Sequence, residues 1–134
     1  PPYFTRVEAI IRQSNSAGVH QILAELACRR GDYAELTKEA LYVMAHSEIY
    51  SYGHQAIALM NKIPEEQRGD LLMPYLSTFS FSGIEAAWYL ADNLQYREKA
   101  LEYLRTASQS NDKELARSAT LKLGELLADP GNDS

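Results

Sequence analysis

Three histidines, one cysteine and eighteen carboxylates are the groups from which this 134-residue chain would have to build acid–base, nucleophilic or metal chemistry. The histidines are His20, His46 and His54, and no two stand three or four positions apart, the spacing that puts two imidazoles on one helical face around a zinc ion. Cys28 follows His20 by two helical turns and is rotated off its face, so it reads as a buried structural thiol, not as a nucleophile with that histidine as base. No Gly-x-Gly-x-x-Gly and no Gly-Lys-Ser or Gly-Lys-Thr offers a cradle for a dinucleotide or a phosphate. The carboxylate pairs Glu65-Glu66 and Asp112-Glu114 fall where helices begin, and there acids complement the positive end of the helix dipole. The reading is of a non-enzymatic chain with no catalytic residue, no metal ligand and no cofactor.

The tripeptide Arg-Gly-Asp occurs twice, as Arg30-Gly31-Asp32 in "ACRRGDYAEL" and as Arg68-Gly69-Asp70 in "EEQRGDLL". An adhesion ligand needs the tripeptide displayed on an extended loop. Gly31 instead stands where a helix ends, with Arg29 and Arg30 at its negative end and Asp32 placed to cap the next helix. Gly69 falls within the first turns after Pro64, inside a helix. The two copies are expected to have different backbones and structural jobs.

A formal net charge of −5, with Lys and Arg scattered along the chain, lacks the basic stripe that nucleic acid requires and would repel an anionic bilayer. No apolar run approaches the roughly 18 residues that span a membrane. Hydrophobic residues at 46% nonetheless suffice for a packed core, so one folded domain is expected over residues 1–134. A lone cysteine forms no intramolecular disulfide and suits a reducing, cytoplasmic setting, with a secreted or processed fragment left open. The opening Pro1-Pro2 reads as the start of a piece of a longer protein.

What must position these residues is helix. Apolar residues recur at helical spacing almost throughout, with no sustained alternation of a half-buried strand, which predicts an all-α fold. Eight helices are expected, at about 3 to 13, 17 to 29, 33 to 46, 49 to 62, 65 to 78, 82 to 92, 95 to 108 and 112 to 128. Ser16 is placed to cap the second, and Asn111 or Asp112 the eighth. Pro64 suits a first turn, whereas Pro74 should kink the fifth helix. The even-numbered helices begin near 17, 49, 82 and 112, steps of about 30 to 33 residues, the period of a right-handed α-solenoid of about four helix pairs. Gly18, Gly53, Gly83 and Ala116 recur in phase and put a small residue where a neighbouring helix would come close.

Several segments resemble helical-hairpin repeats. "LGELLADPGND" (Leu123 to Asp133) has the Leu-Gly pair and later Gly of a tetratricopeptide first helix, and "LAELACRRGDY" (Leu23 to Tyr33) follows it with Ala24 in place of the Gly. "YREKALEYLRTA" (Tyr96 to Ala107) is similar to that family's second helix, and "NDKELARSATLKLGELL" (Asn111 to Leu127) is equally similar to the inner helix of HEAT repeats. Either resemblance implies a protein-interaction scaffold with the even-numbered helices lining its concave face. In the tetratricopeptide register, with Leu23, Leu59, Leu90 and Leu123 as core positions, the groove would be lined by Gln21, Glu25, Arg29, His54, Asn61, Glu85, Trp88, Asp92 and Glu125. The lysine pairs that clamp a C-terminal carboxylate in some tetratricopeptide domains are absent from these positions. Trp88 belongs either to this groove or to the core.

The expected function is therefore a scaffold that holds a peptide or helical protein on its concave face. Glu25, Glu85, Asp92 and Glu125 favour a basic partner. The alternatives are a regulatory or substrate-docking domain of a larger enzyme, and a small all-α enzyme with an unseen site. The eighth helix carries Leu115, Ala119, Leu121, Leu123, Leu126 and Leu127, more apolar positions than one contact stripe needs, which predicts a further repeat, or pairing of that helix with a second copy or a partner.

Overall fold

The computed structural model describes residues 16–48 and 50–128, and every regular element among them is helical. Among these residues seven α-helices follow one another: α1 (Ala17–Arg30), α2 (Tyr33–His46), α3 (Tyr50–Met60), α4 (Glu65–Leu72), α5 (Phe81–Leu90), α6 (Leu94–Ala107) and α7 (Lys113–Ala128), with a 3-10 helix over Met73–Ser77. The helix expected at about 3 to 13 lies outside the described residues. None of the described helices is long and apolar enough to cross a membrane. The chain divides into two compact units, Pro1–Leu71 and Leu72–Ser134.

In the first unit α1 and α2 form a hairpin, and α3 packs against both. Buried residues recur at three and four positions, Leu23, Ala24 and Ala27 on α1 and Leu36, Ala40 and Val43 on α2, so each helix turns one stripe inward. The hairpin turn rests on Gly31, whose φ of 74° is left-handed and open to glycine at little cost. Its N–H and that of Asp32 donate to the carbonyls of Cys28 and Ala27, closing α1, and Asp32 Oδ1 accepts the Glu35 N–H at 3.2 Å to open α2. Ser16 occupies the N-cap of α1, where its backbone carbonyl accepts the His20 N–H at 3.1 Å. The second Arg-Gly-Asp lies inside α4, and its Arg68 guanidinium donates to the carbonyls of Ile63 and Asn61 at 2.9 and 2.7 Å.

Pro74 ends the α-helix instead of kinking it. With no N–H to give to a carbonyl one turn back, the chain stops α4 at Leu72 and tightens into the 3-10 helix, where proline occupies the first turn.

In the second unit α5 packs against α6 and α7, which also pack against each other. Their core is built from Ile84, Leu101, Leu104, Leu115 and Leu126 with five alanines between them, and Leu76, Phe81, Trp88 and Leu123 pack against it. Each fully buried leucine contributes about 2 kcal/mol. Ser80 Oγ accepts the Gly83 N–H at 2.9 Å, Asn93 Oδ1 that of Gln95, and Asp112 Oδ1 those of Glu114 and Leu115, so all three helices start on a side-chain cap. Arg97 donates to the carbonyls of Ala91 and Leu126, fastening the start of α6 to the ends of its neighbours.

Candidate functional site

Glu85 and Trp88 sit one helical turn apart on α5, three positions that place both side chains on the same stripe. That stripe meets α7 at Lys122. The Lys122 ammonium stands 3.3 Å from Glu85 Oε1 and 4.6 Å from the centroid of the Trp88 ring, so one cation bridges a carboxylate and an indole. Glu85 is only 5% exposed, and its other oxygen, Oε2, is buried without a hydrogen-bond partner. Burial raises the pKa of this carboxyl above its ordinary value; the charge and hydrogen bond of Lys122 offset the rise in part, and the nearby charge of Glu125 adds to it. Glu125 is exposed three positions after Lys122 on α7, and Asp92 is exposed just past the end of α5. An aromatic face and a desolvated carboxylate on α5 thus meet on one cation supplied by α7.

The first unit has a polar cluster of its own. His20 Nδ1 is hydrogen-bonded to Glu39 Oε2 inside the α1–α2 contact, and the His20 ring packs on Tyr42 at 4.0 Å, which packs on His46 at 4.4 Å. His20 is thus engaged with Glu39, and Cys28 is a half-buried free thiol. Among the described residues no three His, Cys, Asp or Glu side chains are grouped so as to hold a metal ion. A shallow groove of about 410 Å³ in the second unit is lined by Met73, Leu76, Phe79, Lys99, Glu102 and Tyr103, none of them a residue the sequence placed in a groove.

The residues expected to line a groove divide into three groups. Glu25, Arg29, His54, Asn61, Asp92 and Glu125 are exposed, and Trp88 is partly buried against the core with Lys122 over its ring. Gln21 and Glu85 are buried, at 4% and 5% exposure, with Lys122 lying against the Glu85 carboxylate. Gln21 adjoins the buried stripe of α1, and Glu85 stands between Ile84 and Ala86, both fully buried. The structure brings Glu85, Trp88 and Glu125 to one place.

Two contributors escaped the sequence reading. Lys122 carries the only visible signal of its role in standing three positions before Glu125 on a helix. Glu39 had a stronger one, since it lies three residues after Leu36 and four before Val43, an acid within an apolar stripe. Compared with protein families, with curated proteins and with solved structures, the chain matches none.

Proposed function

We propose that the chain is a non-enzymatic helical-repeat scaffold, part of an α-solenoid, that binds a basic peptide or helical protein segment on the face shared by α5 and α7. The observation that carries this reading is the meeting of Trp88, Glu85 and Glu125, from two helices, with Asp92 exposed four positions after Trp88 in the chain. Aromatic residues and desolvated charges are what concentrate binding energy in protein recognition, and the exposed acids select the sign of the partner. The packing of alternate helices supports the repeat: α1 touches α3 and α5 touches α7, each pair also flanking the helix between them, as stacked hairpins do.

Because Glu85 is buried, charge reversal there would unsettle the fold, and the informative positions are the exposed ones. Asp92→Lys combined with Glu125→Lys should weaken a basic peptide by roughly tenfold or more, as rim charges of the wrong sign repel it. Binding is read by calorimetry and folding by circular dichroism. An unchanged dissociation constant in a folded double variant rejects the assignment.

A further inference from the structure

We propose that Glu85 and Trp88 form a pocket for the guanidinium of an arginine in a basic protein segment, and that Lys122 occupies it as an internal stand-in. The inference rests on the basic-partner reading above and adds the residue that is recognised.

Lys122 fills the site incompletely. An ammonium is a compact charge, and here it reaches Glu85 Oε1 alone, at 3.3 Å. Oε2 remains buried with no hydrogen bond, an arrangement that proteins seldom leave in place, since a desolvated acceptor without a donor is unfavourable. A guanidinium has what is missing: two parallel N–H groups that match both oxygens of one carboxylate, and a flat face that stacks on an indole. The Trp88 ring already lies 4.6 Å from a cation, within the reach of such an interaction.

The stand-in can leave. Lys122 is partly exposed, on a flexible four-carbon stem, and exposed Glu125 stands one turn along the same helix to receive its charge. Glu85, Lys122 and Glu125 together carry one net negative charge, so an incoming arginine neutralises the cluster while a displaced Lys122 keeps an acidic neighbour. Charge and the unpaired Oε2 together select a guanidinium as the occupant.

Trp88 is the single tryptophan of the chain, so its fluorescence reports on this pocket alone. The full chain is titrated with two synthetic basic peptides, identical except that every basic position is arginine in one and lysine in the other. The arginine peptide should bind roughly tenfold or more tightly, the effect of one added charge-assisted hydrogen bond, and should shift Trp88 emission. Lys122→Met should tighten the arginine peptide further, and Glu85→Gln should erase the preference for arginine. Equal affinities in the unaltered chain overturn the pocket and leave the basic-partner reading standing. Binding of neither peptide overturns both. The comparison in the unaltered chain holds even if a variant fails to fold.

Discussion

Gly83 of α5 lies directly against the Tyr103 hydroxyl of α6, so that a Cβ added to the glycine would overlap that hydroxyl and stand 2.7 Å from the backbone oxygen of Tyr75. The hydroxyl is itself fixed, donating to the Thr78 carbonyl at 2.7 Å and accepting the Ser80 N–H at 3.2 Å. Gly83→Ala should therefore destabilise the second unit by about 1–3 kcal/mol, the usual range for overpacking. Tyr103→Phe alone should cost about 1–2 kcal/mol by stranding two backbone groups. In the double variant the phenylalanine removes one overlap and leaves the Tyr75 carbonyl, so rescue should be partial. Urea unfolding of the four proteins measures the cycle; additive single effects would show that the two residues do not constrain each other.

The hairpin turn gives a second test. Gly31 has open space around it and a left-handed φ, so Gly31→Ala meets no atom and should lose only the backbone term, about 1 kcal/mol. Asp32→Ala should lose a comparable amount by uncapping α2. Thermal melts resolve both. Cells should not adhere to the immobilised chain through this tripeptide; adhesion that is lost in folded Gly31→Ala or Asp32→Ala chains would restore it as a ligand.

The helix boundaries were legible because they rest on local chemistry that a single sequence carries: Gly31 and Asp32 at one turn, Asp112 at another, and apolar residues three and four apart between them. Pro74 signalled an interruption, but whether the chain would bend or tighten depended on its neighbours in space. The recurring small residues were legible as a pattern and not as a cause. Gly83 is demanded by Tyr103, Gly18 lies at ordinary contact distance from the Tyr52 ring, and nothing stands near Gly53. The site was legible in its α5 half, as Glu85 and Trp88 one turn apart. Its other half required knowing that α7 would bring Lys122 to them, whereas the burial of Glu85 had a local signal in the apolar run Ile84, Ala86 and Ala87 around it.

On α7 the leucines fall into two kinds. Leu126 is 6% exposed within the core, whereas Leu121 is 63% exposed. Leu126→Ala should destabilise the fold by about 2–4 kcal/mol through lost transfer energy and a cavity, and Leu121→Gln by less than about 0.5 kcal/mol. Chemical denaturation distinguishes them. A large loss at Leu121 in a concentration-dependent unfolding curve would show that this leucine is covered by another copy in solution.

Glu85 makes stability depend on pH in the direction opposite to most acids. Its folded pKa is raised by burial, so the folded chain holds the proton more tightly than the unfolded chain does. Below about pH 4, the ordinary carboxylate range, both states are protonated and the group imposes no pH dependence. As pH rises from there, the unfolded chain releases the proton first, and this residue's contribution to stability falls until the folded pKa is passed, after which it is constant. Each unit of separation between the two values is about 1.4 kcal/mol. Glu85→Gln has no proton to lose, so the stability of the unaltered chain relative to this variant should decline through that window and level off above it. Lys122→Met removes both influences that lower the folded pKa and should extend the decline to higher pH. Urea unfolding across a pH series supplies the curves; parallel profiles for the unaltered chain and Glu85→Gln would mean that the carboxylate is not desolvated in solution.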